Sequence, residues 1–161
     1  MLGRDMRWLV LVLALVAAGC ASRPLEQRTT HGPSAEEYFI YRSMLANGRA
    51  PNFDERRHWE NDLDWRISQY LNRHPEAAND LDVSTFKFYR RVAVGQTKEQ
   101  VLILLGPPAA VTTDQAEIEK LARKYAPAIK GNATEAWVYP LGWSLFFAGP
   151  RLVDITQYLE R

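Results

Sequence analysis

The sequence has a single cysteine, Cys20, among its 161 residues. One cysteine cannot form an intramolecular disulfide, so the folded part of the chain must be stabilised by packing. The chain also lacks an excess of charge of either sign, because 20 Lys and Arg residues are balanced by 19 Asp and Glu residues. A nearly neutral chain offers no strong electrostatic surface for nucleic acid, and we expect no nucleic-acid partner.

Motifs of several enzyme classes are missing as well. The chain contains no Gly-x-Ser-x-Gly nucleophile elbow, and the segment GQTKEQ lacks the Gly-Lys-Ser/Thr arrangement of a phosphate-binding loop. Two histidines lie near carboxylates, His58 beside Asp62 and His74 beside Glu76, but no third ligand follows at a spacing suited to a metal. We therefore predict a protein that is not an enzyme and that uses no metal, cofactor or small-molecule substrate.

The first twenty residues have the layout of a bacterial export signal. Arg4 and Arg7 give the segment a positively charged start. They precede an apolar run, residues 8–16, that is too short to span a bilayer as a helix. Small residues then lead directly into Gly19 and Cys20. This ending resembles the lipobox of bacterial lipoproteins. The alternative is an ordinary signal peptide that ends near a free thiol.

The lipobox resemblance implies cleavage between Gly19 and Cys20 and acylation of Cys20. Residues 1–19 are then the signal peptide, and the lipid on Cys20 attaches the protein to a membrane, since each buried methylene contributes about 0.8 kcal/mol. In the sorting rule of such lipoproteins an Asp after the cysteine retains the protein at the inner membrane. Ala21 stands there instead, which favours the periplasmic face of the outer membrane. Polar residues and two prolines predict that residues 20–33 are a flexible tether.

Residues 34–91 are predicted to be mainly helical. A capping box begun by Ser34 predicts a helix that ends at Gly48, and a second, longer helix runs from about Phe53 to about His74. The short Gly/Pro turn between the two helices predicts an antiparallel hairpin. The apolar stripe of the second helix consists of Trp59, Leu63, Ile67, Tyr70 and Leu71.

The stretch VGQTKEQVLILLGPP, residues 94–108, predicts a short helix that is fixed at both ends. A glycine permits an unusual backbone angle, a threonine caps the helix, two apolar residues dock it on the sheet, and Gly-Pro-Pro ends it. The residues in these roles are Gly95, Thr97, Val101, Leu105, Gly106, Pro107 and Pro108. Because each of them has a structural role, we interpret the stretch as a joint of the fold and not as a catalytic site.

The segments around this joint complete the prediction of an α+β fold. A short helix that becomes extended near Val92 precedes the joint, and a strand and an amphipathic helix over residues 115–128 follow it. Three C-terminal runs rich in aromatic and β-branched residues predict an antiparallel meander. We thus expect an N-terminal helical hairpin and then a small domain, residues 92–161, of short helices packed on one face of a three- to four-stranded antiparallel sheet.

Four segments, VAVGQTKEQVLILLGPPAAVTTD, EAWVYP, SLFFAG and RLVDI, carry a resemblance to a known family. Over residues 92–156 they resemble the SmpA/OmlA family of outer-membrane lipoproteins, the BamE-like proteins. The family pattern is a Gly-Met-Thr entry to a short helix ending in Leu-Gly-x-Pro, followed by a Trp-x-Tyr strand and a last strand of Leu-Val-x-Ile type. Gln96 stands where the family has Met, and residues 34–79 and 115–128 have no counterpart in the small family members.

The resemblance implies a lipid-anchored, non-catalytic adaptor that binds an envelope protein and serves outer-membrane assembly or integrity. The alternative is an inhibitor or regulator of a periplasmic enzyme, for example one that acts on peptidoglycan. Most aromatic residues are expected in the core. Trp143 follows Gly142 at a turn, and we predict that it is exposed and contacts the partner. On this hypothesis, Trp143→Ala weakens partner capture and leaves the melting temperature nearly unchanged.

The prediction of a lipid anchor can be tested by Cys20→Ser, which removes the sulfur that would be acylated. We expect the full-length variant, expressed in the native host, to move from the membrane fraction to the soluble fraction. Ser22→Ala, which leaves the lipobox intact, serves as the control and should remain with the membranes. Immunoblotting of the fractions measures the distribution, and membrane retention of Cys20→Ser would contradict the anchor.

Overall fold

The computed structural model describes residues 24–80 and 82–160, so the predicted signal peptide, Gly19, Cys20 and the start of the predicted tether lie outside the described residues. The strands are β1 Leu25–Thr29, β2 His31–Ser34, β3 Arg91–Ala93, β4 Ala110–Thr112, β5 Glu135–Tyr139, β6 Trp143–Ala148 and β7 Arg151–Leu159. The helices are α1 Ala35–Asn47, α2 Phe53–Arg73, α3 Pro75–Ala78, α4 Val83–Lys87, α5 Lys98–Leu105, α6 Gln115–Ala122 and α7 Ala126–Ile129, with a 3-10 helix, Arg123–Tyr125, before α7. Within the described ranges, no helix combines the length and the apolar character needed to cross a membrane.

The main sheet contains five antiparallel strands in the order β1-β7-β6-β5-β4, and a separate two-stranded sheet pairs β2 with β3. The predicted α+β class is confirmed, and the predicted C-terminal meander corresponds to β5, β6 and β7. The sheet is wider than expected because β1 pairs with β7 along its whole length, from Leu25 opposite Leu159 to Thr29 opposite Ile155.

The prediction of a flexible tether over residues 20–33 is wrong from Leu25 onward, where β1 and β2 lie. The segment is polar, yet β7 provides partners for its backbone and for its side chains. The guanidinium of Arg28 donates to both carboxylate oxygens of Asp154, with Nη2 at 2.7 Å from Oδ2. Because the Asp154 carboxylate is largely buried, this paired geometry satisfies a charge that would otherwise be costly.

Helices cover both faces of the main sheet, whereas the sequence predicts them on one face. The first core lies between the sheet and the helices α1, α2, α4 and α5. Its buried members include Tyr38, Leu63, Ile67, Tyr70, Phe86, Val101, Leu105, Trp137, Tyr139, Leu145, Phe147 and Ile155. The second core lies between the other face and the helices α6 and α7. It consists of Ile118, Ala122, Ala126, Ile129, Ala133, Ala136 and Phe146.

The predicted helix over residues 115–128 is interrupted after Ala122. The chain continues as the 3-10 helix and then as α7, in which Pro127 occupies the first turn. A proline in the middle of one long helix would remove a backbone hydrogen bond and clash with the preceding turn, whereas the first turn of a new helix tolerates it. The break at Arg123, which has a φ of 53°, provides that new start.

Helices α1 and α2 begin and end close to the predicted positions, and their capping boxes are present at Ser34 and Asn52. The two helices touch through the stacked rings of Phe39 and Trp59 and through an ion pair of Glu36 with Arg56. These contacts occur in the same order along both helices, not in the reversed order typical of an antiparallel pair. The predicted antiparallel hairpin is therefore not confirmed.

The turn between β5 and β6 packs tightly against the end of β7. Leu141 and Gly142 both have positive φ, 62° and 75°. The carbonyl oxygen of Gly142 accepts a hydrogen bond from the amide of Tyr158 at 2.9 Å. A Cβ atom on Gly142 would lie less than 3.0 Å from the carbonyl oxygen of Tyr158, so this position requires glycine for space as well as for its backbone angle.

We expect Gly142→Ala to lower the free energy of unfolding by about 3 kcal/mol or more, because the new methyl group collides with backbone that cannot move freely. The matched control is Gly149→Ala, where φ is 57° and no atom lies within 4 Å of the added Cβ. In this control the free energy of unfolding should fall by only about 1–2 kcal/mol, the cost of placing alanine in the left-handed conformation. Urea denaturation of both variants measures the difference, and equal losses would contradict the close approach.

Candidate functional site

The joint, residues 94–108, connects β3 with β4 and lies against the start of β7. The amide of Gly95 donates to the carbonyl of Leu152 at 2.8 Å, and the amide of Leu152 donates to the carbonyl of Gln96 at 2.9 Å. Gln96 is buried, and its Nε2 donates to the carbonyl of Arg91 at 2.8 Å. The joint therefore fastens the end of β3 to the last strand of the sheet.

Helix α5, within the joint, has the predicted cap and the predicted apolar face. The Thr97 hydroxyl accepts from the amide of Gln100 at 3.2 Å, and the Gln100 side chain accepts from the amide of Thr97 at 2.8 Å. Val101 and Leu105 are buried in the first core. Thr97 thus caps the helix, and Val101 and Leu105 form its buried face, as the sequence predicts.

The ends of the joint also match the prediction. Gly95 and Gly106 both have positive φ, 98° and 75°. Gly106 accepts a hydrogen bond from the Tyr139 hydroxyl at 2.8 Å, and burial raises the pKa of that hydroxyl. Pro107 is exposed and Pro108 is half-buried where the chain turns towards β4.

A cleft of about 440 Å³ separates the end of α2 from the joint. The imidazole of His74 lies between two carboxylates, with Nδ1 at 3.1 Å from Glu76 Oε1 and Nε2 at 3.5 Å from Glu99 Oε2. Glu99 also pairs with Arg73 at 2.9 Å. A backbone hydrogen bond, the contact with His74 and the charge of Arg151 together lower the pKa of Glu76. The cleft thus holds an ion-pair network between the helical region and the joint.

The side chains of this cleft do not form a nucleophile–base pair. Its hydroxyls belong to Tyr70 and Thr97, which lie 3.3 Å apart, and the Thr97 hydroxyl already caps α5. Both imidazole nitrogens of His74 face carboxylates, so the ring is placed to pair with them and not to take a proton from a hydroxyl. Across residues 24–80 and 82–160, His, Cys, Asp and Glu side chains form no group of three that could hold a metal ion.

A second charged cluster joins α5 to β5. The ammonium of Lys98 donates to Glu135, and the indole nitrogen of Trp137 donates to the same carboxylate. Lys98 Nζ also lies 5.6 Å from the centroid of the Phe147 ring. Burial by itself would raise the pKa of Glu135, but the hydrogen bonds from Lys98 and Trp137, with the charge of Lys98, outweigh burial and lower it.

Trp143 does not have the exposure that the sequence analysis predicts. It lies opposite Gln157 at the start of β6, and its half-buried ring packs against the first core. The reason is that the β5–β6 turn packs tightly on the end of β7. This packing covers part of the Trp143 side chain that would otherwise be exposed to solvent. The ring at this position stabilises the fold, and the predicted insensitivity of the melting temperature to Trp143→Ala no longer holds.

Two adjacent aromatic residues at the end of α4 are exposed instead. Phe88 and Tyr89 have 69% and 74% of their surface accessible to solvent. Tyr89 borders a surface cleft of about 480 Å³ that is also lined by His31, Thr85 and Arg91. We name the surface formed by Phe88, Tyr89, His31 and Arg91 the aromatic cleft.

Local contacts hold the aromatic cleft in place. Phe86, on the opposite side of α4, is buried and packs edge-on against Tyr70 at a centroid distance of 5.4 Å. Arg90, with a φ of 47°, donates to the carboxylate of Asp64 at 2.8 Å. Sequence reasoning missed this surface, although a signal was present for Phe88: residues two apart lie on nearly opposite faces of a helix, so a helix that buries Phe86 directs Phe88 away from the core. Tyr89 lies beyond the end of α4.

Comparisons of the chain with protein-family models, with curated proteins and with solved structures found no match.

The Lys98–Glu135 cluster predicts a pH dependence of stability. Because the folded-state pKa of Glu135 is lowered, its contribution is complete above the unfolded-state pKa of about 4.3. The contribution is lost as the pH falls through the lower folded-state pKa. We expect Glu135→Gln to flatten the loss of stability below about pH 4.5, as measured by urea denaturation at several pH values. Glu117→Gln, at an exposed position of α6, is the control, and identical acid profiles for wild type and Glu135→Gln would refute the prediction.

Proposed function

We propose that the protein is a lipoprotein of the outer membrane that acts on the periplasmic side as a non-catalytic adaptor for an envelope protein. The lipobox ending at Cys20 supports the location. The observation that carries the binding role is the exposed aromatic pair, Phe88 and Tyr89, beside a cleft lined by His31 and Arg91. The resemblance to the SmpA/OmlA family supports a role in outer-membrane assembly or integrity.

The composition of the aromatic cleft fits a protein partner. Aromatic side chains bury large areas on binding, and aromatic residues and Arg are enriched in protein interfaces. Two such side chains kept in water are unfavourable for an isolated domain, and covering them would contribute binding energy. Lys87 adds positive charge at the rim, with its Nζ 5.2 Å from the centroid of the Phe88 ring, and the guanidinium of Arg91 lies 3.9 Å from the carboxylate of Glu37. We infer that the partner offers an acidic surface with an apolar pocket.

The position of the aromatic cleft relative to the anchor suits such a partner. The described chain enters the sheet at Leu25, β1 leads away from that point, and His31 in β2 already borders the cleft. Six residues of extended chain correspond to about 20 Å. The cleft therefore lies at the opposite end of β1 from the anchor, where a periplasmic protein has access.

The other charged sites support binding over turnover. The networks around His74 and around Lys98 join the helical region and the joint to the sheet, and their polar atoms are used in these contacts. Such cross-links tie α2 to α5, and α2 in turn contacts α4 through Tyr70 and Phe86. A rigid support for an exposed patch is what an adaptor surface needs.

The binding role can be tested by placing a photo-crosslinking amino acid at Phe88 in the native host and identifying the captured protein. The matched control is the same substitution at Phe53, which is equally exposed but belongs to the start of α2. We expect a partner captured at position 88 and absent at position 53, and we expect Tyr89→Ala to reduce that capture several-fold. Because exposed substitutions change stability by about 0.5 kcal/mol or less, the melting temperature should be unchanged.

The identity of the captured protein separates the two functions. A subunit of the barrel-assembly machinery supports the adaptor role, whereas a cell-wall hydrolase supports the alternative of an enzyme regulator. Equal capture at positions 88 and 53, or a large fall in melting temperature for Tyr89→Ala, would refute the aromatic cleft as the contact surface.

A further inference from the structure

Three leucines lie at the end of the main sheet where the described chain begins, and two of them, Leu25 and Leu159, are half-buried. Leu25 opens β1 and lies opposite Leu159 at the end of β7. The β5–β6 turn folds onto the same place, since a Cβ on Gly142 would be 3.2 Å from Cδ2 of Leu159. Leu141, at the tip of this turn, is 39% exposed. We name the surface of Leu25, Leu141 and Leu159 the leucine edge.

The backbone of Leu141 is strained. Its φ of 62° lies in the left-handed region, which Asn and Gly adopt readily and a bulky apolar residue does not. The side chain is only partly compensated by burial, because 39% of its surface remains exposed to solvent. A strained and exposed leucine is unfavourable for an isolated domain in water, which indicates a contact outside the fold.

The short distance between the leucine edge and Cys20 indicates that this external contact is with the membrane. Leu25 follows Cys20 by five residues, and five fully extended residues reach at most about 18 Å. The early start of β1 matters here, because a flexible tether that extended to residue 33 would allow the domain to move far from the membrane. With β1 beginning at Leu25, the leucine edge is the part of the described structure that an acylated Cys20 holds nearest to the bilayer.

We propose that the leucine edge inserts into the interfacial layer of the lipid bilayer and orients the domain, so that the aromatic cleft points into the periplasm. This inference rests on the proposed acylation of Cys20. The lipid on Cys20 would keep the domain close to the bilayer. Burial of a small apolar area by the three leucine side chains is then enough to favour one orientation of the domain.

The charges around the leucine edge are balanced. Lys124 Nζ lies 3.5 Å from Glu26 Oε2, and the guanidinium carbon of Arg123 lies 3.5 Å from the centroid of the Tyr158 ring. The Tyr158 hydroxyl donates to the carboxylate of Glu160 at 3.3 Å. Since acidic and basic groups offset each other, the contact is apolar in character, and the orientation should not depend on salt or on anionic lipid.

The test places an environment-sensitive fluorescent amino acid at Glu160, beside the leucine edge, or at Tyr89, in the aromatic cleft. The full lipidated protein is reconstituted in phosphatidylcholine vesicles that contain a brominated phosphatidylcholine as quencher. We expect quenching at position 160 to exceed that at position 89 at least threefold, and to be the same at low and high salt. Equal quenching at the two positions would overturn the proposal.

A second variant separates the membrane contact from stability. Leu141→Asn replaces the leucine with a residue that accepts the left-handed angle, so the melting temperature should stay the same or rise. Quenching at position 160 should nevertheless fall at least twofold, because an amide does not enter the apolar layer. Undiminished quenching in Leu141→Asn would show that the leucine edge does not orient the domain.

The failure of lipidation is distinguishable from the failure of this inference. If the native protein does not float with vesicles, the proposed anchor fails, and the thiol of Cys20 is then coupled to a maleimide phospholipid in the same vesicles. The comparison of positions 160 and 89 is repeated on this coupled protein. Stronger quenching at position 160 supports the leucine edge even then, and equal quenching overturns it.

Discussion

The central strand β6 is apolar on both of its faces, and the rest of the structure follows from this constraint. Leu145 and Phe147 point into the first core and Phe146 points into the second, and all three are fully buried. Because a sheet with two apolar faces cannot leave either of them in water, each face requires a layer of helices. The helices α1, α2, α4 and α5 cover one face. The helices α6 and α7 cover the other.

The features that could be predicted from the sequence are those set by neighbouring residues. The capping boxes at Ser34 and Thr97 involve positions three apart, so the local pattern suffices to place the starts of α1 and α5. The strands of the C-terminal meander follow from short runs and turn residues in the same way. β1 is different, because its polar residues become a strand only through β7, and the Arg28–Asp154 pair joins residues 126 positions apart. No local pattern contains that partner.

In the candidate site too, only the features that neighbouring residues determine could be predicted from the sequence. The roles of Thr97, Val101 and Leu105 in the joint could be predicted, because helix caps and apolar periodicity are local properties. The exposure of single aromatic residues could not, because it depends on which neighbouring element packs over them. The turn at Gly142 lies against β7 and leaves Trp143 half-buried, while Phe88 and Tyr89, which follow α4, remain in solvent. The aromatic residue that the sequence predicts to be exposed is therefore partly covered, and two residues after a short helix are exposed instead.

The pairing of the first described strand with the last one has a consequence for how the chain reaches its folded state. Gln27 and Gln157, which face each other across β1 and β7, are 130 positions apart, so this ladder closes the longest loop available to the domain. Such contacts raise the contact order and form late, after the local helices and the meander. Because a polypeptide is synthesised with its amino end first, β1 must stay unpaired until the whole of β7 has been made. Completion of the sheet therefore waits for the carboxyl end of the chain, and a chain truncated there would leave β1 without its partner strand.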